Sequence, residues 1–526
     1  MAENFDEYIN IPKEKFEFAN VDTKLHDKKF VDKPVGYFKD ALRRFCRSKA
    51  SIVAAFIILF IFLFAFLTPL FNFRYDSSFW DTYYKCKGPR NLTLYNLGFD
   101  GGADRSTNEK GLLGKLAIGV GAEDWAGEGN VTIADGKNSK YQPVIKMENT
   151  RVDRVDGKKY YDYVVDAYYE VGFINFSVTQ DEYQNIRAFE EESGLHVLYP
   201  LIENNEYHPD EINAGSANYW YKANSKYDPV SPNEMGGVKK LTFSDDLILE
   251  DNYMRDGNGN VMYYTYTGGG DVDTAMYKIR VLYYNYYIYR NGFEPEYIFG
   301  TDSQGYDLAL RLADGVRLSL LIAICVSVIN FIIGATYGAI EGYYGGAVDF
   351  ILERISDILN GIPFIVVATL FQIHLAKKLG PIPCLLFAYV LTGWIGPASR
   401  VRTQFYRFKN SEYVMAARTL GANDKRIIMK HIFPNSLGTL ITASALTIPS
   451  VIFSESMLSF LGIVKLGGTE TTSLGTLLSD ASSRWTNFPH LMLFPAVVIS
   501  LLMISFNLFG NGLRDAFNPS LRGVEE

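Results

Sequence analysis

The residues best placed to do chemistry lie in one basic stretch of this 526-residue chain. It reads Glu412-Tyr413-Val414-Met415-Ala416-Ala417-Arg418-Thr419-Leu420-Gly421-Ala422-Asn423-Asp424 and continues to Pro434 and Asn435. Arg400, Arg402, Arg407, Lys409, Arg418, Lys425, Arg426 and Lys430 fall in it or just before it. This set suits recognition rather than catalysis. Ala416 and Ala417 allow another protein surface to come close, and Gly421 permits a sharp turn. Glu412 and the flanking cations offer polar anchors. Composition alone favours a solvated helix–turn–helix. The spacing of the small residues, glycine and distal proline is what favours a docking surface.

A second candidate is Glu455, an acid within or near the outer end of a hydrophobic stretch. An ionisable group at membrane depth is a functional candidate by default. A hydrogen bond between spans is the slightly favoured alternative. Asn330, Gln372 and His374 read first as interhelical contacts, and Asn330 is kept with Glu455 as a candidate lining of a membrane path. No Gly-x-x-x-x-Gly-Lys-Ser/Thr loop occurs, so ATP is not bound in that manner. No nucleophile–base constellation is present, and the chain reads as a non-enzyme with no cofactor. His374 lacks a partner at metal-ligand spacing. Cys46, Cys86, Cys325 and Cys384 are too scattered for a disulfide framework or a zinc site. Asp256, Asn258 and Asn260 resemble the opening of a calcium loop. Val261 and Thr267 replace its glycine and distal glutamate, so a plain hairpin turn is expected.

The elements that must position these residues are segregated along the chain. Stretches 51–73 and 316–512 are largely apolar, while 74–300 is polar and rich in Tyr and Gly. A net charge of −8 argues against nucleic acid as a partner. Six spans of about 20 residues each are expected near 51–73, 316–340, 358–377, 383–400, 437–462 and 490–510. No cleavable signal peptide is visible, since the first hydrophobic run follows a long hydrophilic segment. Arg43, Arg44, Arg47 and Lys49 precede the first span and place its start in the cytoplasm. Segment 74–300 is then extracytoplasmic, and the basic stretch and both termini are cytoplasmic. Lys377 and Lys378 run against the charge rule in this scheme.

Within 74–300 an α+β domain is expected. Tyr160–Phe173 and Met276–Tyr289 have the aromatic and β-branched character of strands. Asp156-Gly157 and Asp256–Asn260 supply hairpin turns. Thr179 reads as the N-cap of a helix over Asp181–Ser193, with Tyr183, Ile186 and Phe189 on one face and Gly194 as the stop. An interfacial helix is expected near Val35–Phe45.

The string Glu-Tyr-Val-x-Ala-Ala-Arg-x-Leu-Gly-Ala with its distal Pro434 closely resembles the EAA loop of ABC importer permeases, in the form used by the dipeptide/oligopeptide/nickel branch. Met415 stands where the general signature has Glu, and Phe433 where it often has Leu, so Glu412 carries any acidic contact. Phe299-Gly-Thr-Asp-Ser-Gln-Gly-Tyr-Asp307 resembles the branch's Phe-Gly-Thr-Asp-x-x-Gly-Arg-Asp, with Tyr306 in place of Arg. Asp302, Gly305 and Asp307 are expected to form a capped turn at the outer surface. Gly342-Tyr-Tyr-Gly-Gly346 with Asp349 and Arg354 matches the family's inner turn, and Phe506–Asp515 with Asn518-Pro519 matches its ending. The resemblance covers about 40–50 and 299–522.

It implies an all-α polytopic membrane protein with a type I ABC importer permease core, interrupted by an inserted extracytoplasmic α+β domain. The implied organisation is a cytoplasmic segment 1–50, a first span 51–73, an insertion 74–300 and a permease core 301–526 with a coupling loop at 404–435. The implied function is that of a C-type permease subunit in an ATP-driven peptide importer of the bacterial plasma membrane. Glu412, Tyr413, Ala416, Ala417, Arg418, Gly421 and Ala422 would couple to the ATPase, and Glu455 and Asn330 would line the path. The implied partners are a B-type permease, two ATP-binding cassette subunits, an extracytoplasmic substrate-binding lipoprotein, the peptide and membrane lipid. Nickel or another small solute is the alternative cargo. A membrane-anchored sensor or adhesion protein is the alternative of a different class.

Overall fold

A computed structural model describes residues 37–71, 75–90, 103–106, 144–152, 159–199, 201, 222–223, 229–230, 254–267, 276–466 and 472–517. Two helices lead in: α1 (Tyr37–Phe45) and α2 (Lys49–Phe71). The sheet region follows, with β1 (Ala103–Ser106), β2 (Val144–Val152), β3 (Lys159–Asp166), β4 (Phe173–Val178), α3 (Gln180–Ser193), β5 (Leu198–Tyr199), β6 (Lys222–Ala223), β7 (Pro229–Val230), β8 (Tyr264–Thr267), β9 (Met276–Leu282) and α4 (Tyr283–Asn291). The rest is helical: α5 (Leu308–Tyr344), α6 (Gly346–Asn360), α7 (Phe364–Leu379), α8 (Pro381–Gly393), α9 (Ile395–Phe408), α10 (Glu412–Thr419), α11 (Phe433–Ala445), α12 (Thr447–Phe460), α13 (Leu474–Ala481) and α14 (His490–Phe517).

Among the described residues, five helical stretches are long and apolar enough to cross a membrane: Lys49–Leu70, Leu308–Tyr344, Pro381–Phe408, Asp424–Phe460 and His490–Phe517. The count reaches six if α6 and α7, bent by 69° at their junction, form one span. The third expected span, 358–377, is therefore corrected. α6 ends at Asn360 and α7 begins only at Phe364, because Gly361-Ile362-Pro363 intervenes. Proline lacks a backbone N–H, and the residue before it is driven out of helical geometry. Lys377 and Lys378 occupy the last turn of α7, where the helix dipole favours cations. The fourth span also runs further than its apolar stretch, through Ile395–Phe408, since hydropathy falls where the basic residues begin but the helix does not.

α5 is the central rod. Its 37 residues extend about 55 Å at 1.5 Å per residue, and it packs against α2, α6, α8, α9, α12 and α13. Gly334, Gly338 and Gly342 lie along α9. A Cβ added at Gly338 would stand 2.1 Å from the Ala398 carbonyl oxygen, so these two backbones are in direct contact.

β9 takes β4 on one edge and β5 and β8 on the other, all antiparallel, with Phe173 opposite Leu282 and Tyr264 opposite Ile279. β1, β3 and β2 form a second antiparallel sheet. Both strand expectations were too long. The first breaks at Asp166, whose Oδ1 accepts the N–H groups of Tyr168 and Tyr169 in an Asx-type turn. The second ends at Leu282, and Tyr283–Asn291 is helix. Tyr283, Tyr284, Tyr286 and Tyr287 are buried, the i, i+1, i+3, i+4 spacing that only a helix gathers on one side. β-propensity in aromatic residues records packing more than backbone preference, and it misled here. α3 does have Thr179 as its cap, accepting from Glu182 N–H at 3.2 Å, and it stops at Gly194 in the left-handed region. The Asp256 turn is as expected: its carboxylate accepts from Asn258 and Asn260 within the turn. Asp156-Gly157 lies outside the described residues.

Candidate functional site

The basic stretch forms a helix, a turn and a second helical run. Glu412–Thr419 is α10, and Gly421 turns the chain at φ +82°. Asn423 caps the next turn, its Oδ1 accepting from Arg426 N–H at 2.9 Å. A π-helical turn over Ile427–Ile432 then leads into Pro434, accommodating the proline at the head of α11. Val414 is the inward residue of α10. It packs with Phe405, Ile427, Ile432 and Leu440 beneath the turn. On the other side Tyr413, Met415, Leu420 and Met429 are exposed, Leu420 at 87%. Glu412, Ala416, Arg418 and Gly421 are exposed beside them, and Ala417 and Ala422 are partly covered. Large apolar side chains grouped on a surface with charges around them mark a protein contact site.

Two clasps join this surface to the C-terminal end of α5. Tyr343 donates its hydroxyl to Asp424 Oδ1 at 2.5 Å, while the Arg418 guanidinium lies 5.9 Å over its ring and donates to its oxygen at 3.4 Å. Lys409 Nζ donates to the Gly342 carbonyl at 3.0 Å. Deeper in, Arg402 holds Asp349 through Nε and Nη2 at 2.5 and 2.9 Å, and Glu353 through Nη1 at 3.1 Å. Asp349 therefore pairs with Arg402, not with its sequence neighbour Arg354, which faces Asp357 at 2.8 Å. The sequence reading missed Tyr343, Asp424, Arg402 and Glu353 as partners. Only the surplus of cations upstream of Glu412 hinted at them.

Glu455 is 1% exposed, between α5 and α12. Ser319 and Ser459 donate to its two oxygens at 2.9 and 3.1 Å. Asn330 is also buried, its Nδ2 donating to the Tyr389 carbonyl at 3.4 Å while Oδ1 has no partner. The two candidates therefore sit inside the bundle, on different turns of α5 and its neighbours. Gln372 donates to the Pro381 carbonyl at 2.8 Å, which ties α7 to α8.

At the other end of α5, Asp302 Oδ1 accepts N–H groups from Gln304, Gly305 and Tyr306. Asp307 caps the helix through Ala309 N–H at 2.8 Å and accepts from Tyr75 at 2.9 Å. Burial raises the Asp302 carboxyl above its usual range and pushes that of Asp307 up to about 6. Tyr306 receives Arg311 over its ring at 4.6 Å. The base of the sheet region is hydrogen-bonded into this turn: Asp81 N–H to Gly305 O, Cys86 N–H to Asp302 O and Thr301 N–H to Lys87 O, all within 3.0 Å. Above it, Arg90 and Asp166 form a buried pair at 3.2 Å, with Arg90 lying over Tyr168 and Tyr284.

Residues 332–523 match the family described as binding-protein-dependent transport system inner membrane component. Residues 36–89 match the N-terminal TM domain of oligopeptide transport permease C. Over 224 residues the chain is 41% identical to the oligopeptide transport system permease protein OppC of Bacillus subtilis, covering 43% of this chain and 72% of that protein. It is 41% identical over 230 residues to the dipeptide transport system permease protein DppC of the same organism, covering 43% and 69%. With OppC of Escherichia coli the identity is 38% over 232 residues, covering 44% and 74%. Among solved structures, an inward-facing MetNI methionine ABC transporter aligns with a TM-score of 0.34 at 17% identity, over 40% of this chain and 96% of that one.

Proposed function

Since this chain belongs to the binding-protein-dependent transport permeases, as a C-type peptide ABC permease, we propose that it is one half of the translocation path of an ATP-driven dipeptide or oligopeptide importer. ATP is hydrolysed by two cassette subunits docked on the exposed face of Glu412–Ala422. The observation that carries this reading is the two-sidedness of α10. Val414 anchors it to the bundle, while Tyr413, Met415 and Leu420 are left facing out with Glu412 and Arg418 beside them. Glu412, Tyr413, Ala416, Ala417, Arg418, Gly421 and Ala422 make up the docking surface.

The remaining assembly follows from the same reading. A B-type permease completes the path, and a lipoprotein on the outer side delivers the peptide. Both termini face the cytoplasm of a bacterial cell, as the cations ahead of α2 require. Residues 74–300 are an outer domain that receives the binding protein. The Tyr-rich core around β9 and α4 supports that role, and so do the hydrogen bonds between its base and the outer turn. Glu455 and Asn330, both buried in the bundle, are assigned to the lining of that path in this reading.

The test is capture of an ATPase by the solubilised full chain. Leu420→Asp is expected to abolish that capture and peptide-stimulated ATP hydrolysis while leaving membrane insertion intact. Undiminished capture by this variant would sink the docking assignment. Single cysteines check the orientation: one at Ser482 should react with an impermeant thiol reagent in intact cells, and one at Lys425 should not.

A further inference from the structure

At the inner end of α5 three carboxylates share one guanidinium. Arg402, on α9, holds Asp349 and Glu353 of α6. Glu341, on α5, brings a carboxylate oxygen within 4.8 Å of theirs. It is 1% exposed, and its Oε1 accepts no hydrogen bond. A buried carboxylate oxygen without a donor is costly, and such a group in a folded chain calls for a physical explanation. An open divalent-cation site is not that explanation, because Arg402 already supplies the cation that Asp349 and Glu353 face.

We propose that Glu341 is a positioning residue for the transport cycle, the second seat of Arg402. The guanidinium leaves Asp349 and Glu353 for Glu341 when the coupling segment moves. The inference rests on the coupling role proposed above for what drives the movement.

The groups left behind are provided for. Asp349 still accepts from the Tyr406 hydroxyl at 2.7 Å. The side chain of Glu353 is 32% exposed and reaches water. Glu341 alone has an oxygen that waits for a donor. The connection to the coupling segment is short and stiff. Arg402 lies one turn before Phe405, which is buried against Val414 and Ile427, and α9 ends four residues before Glu412. On the other side, α9 contacts the glycines of α5 on either side of Glu341. Displacing α9 along α5 therefore moves Arg402 relative to both acceptors, whose carboxylate oxygens lie within 4.8 Å of one another.

The test is a change of sign in thermal stability, measured on the purified full chain without partners. In the parent chain Glu341→Gln removes a buried carboxyl whose Oε1 lacks a donor and is expected to raise Tm. In an Asp349→Asn/Glu353→Gln background, where Arg402 loses both of its present carboxylates, the same Glu341→Gln is expected to lower Tm. Arg354→Gln, outside the cluster, should behave alike in both backgrounds and report general loss of fold. The same sign for Glu341→Gln in both backgrounds overturns the proposal. In the assembled transporter, Glu341→Gln is expected to slow peptide-stimulated ATP turnover by about tenfold, as for loss of one charge-assisted hydrogen bond, and Glu341→Asp to restore much of it. Turnover equal to the parent also overturns it. If no ATPase is captured at all, the docking reading fails, and the Tm sign alone still decides the fate of Glu341.

Discussion

The two ends of α5 handle buried carboxylates in opposite ways. At the N-terminal end Asp302 takes three backbone N–H groups, and Asp307 takes one together with the Tyr75 hydroxyl. The turn itself supplies most of these donors, and Tyr75 is the one that comes from elsewhere in the chain. At the C-terminal end Asp349 and Glu353 depend on Arg402 from another helix, and Glu341 Oε1 stays without a partner. Donors drawn from the same turn move with the acceptor, so the N-terminal end is braced as one piece. Donors drawn from a different helix follow that helix, so the pairing at the C-terminal end depends on where that helix sits. One rod thus has a locally braced end where the sheet region joins and a cross-braced end beside the Glu412–Ala422 segment.

The largest expected effect tests the rigidity of the N-terminal end. Gly305 has φ +100°, and a Cβ there would stand 1.9 Å from the Asp81 carbonyl oxygen. Gly305→Ala should therefore cost more than about 4 kcal/mol, read as a lost or much lowered thermal transition. Gly421 has φ +82° with nothing within 4 Å, so Gly421→Ala should cost only about 1–2 kcal/mol. Equal effects at the two glycines would erase the contrast.

Next in size is the pH dependence of Asp307. Its carboxyl is raised from 3.8 to about 6 by burial. A raised folded-state pKa in an acid contributes stability that is complete below about 3.8 and is lost as pH rises through about 6. The full difference is about 3 kcal/mol at 1.36 kcal/mol per unit. Thermal unfolding should accordingly shift upward as pH falls from 7 toward 4, and Asp307→Asn should remove most of that slope. Asp302, Asp81 and Asp166 are raised in the same direction and supply the remainder.

Smaller still is the Tyr343 clasp. Tyr343→Phe deletes a hydrogen bond to a charged acceptor, worth about 1.5–3 kcal/mol. Amide exchange over Gly421–Ile432 should speed up by at least about tenfold while the turn at Asp302–Asp307 is unaffected. Acceleration at both ends would contradict the division. The smallest effect on stability is expected at the exposed face proposed for docking: Glu412→Lys should change it by no more than about 0.5 kcal/mol and yet weaken ATPase capture.

Much of this was legible in the residues. The places of the apolar stretches, the Thr179 and Gly194 caps, the turn at Asp256 and the capped turn at Asp302–Asp307 all depend on local chemistry, which a short window of sequence contains. Long-range choices were not legible. The Tyr283–Asn291 run has strand composition and folds as helix because β9 ends at Leu282 and the ring face is needed against Tyr84, Tyr168 and Tyr297. Asp349 had a cation five residues away in Arg354 and took Arg402 instead, since Gly342 and Gly338 let α9 approach α5 closely enough to deliver it.

What the sequence determined by itself was therefore the inventory: which stretches are apolar enough to cross a membrane, and which local caps and turns punctuate them. The tertiary structure alone decided pairing. It bent the chain at Gly361–Pro363, set Arg402 among three acids and left Glu341 incomplete, because those outcomes depend on which backbones come within contact distance.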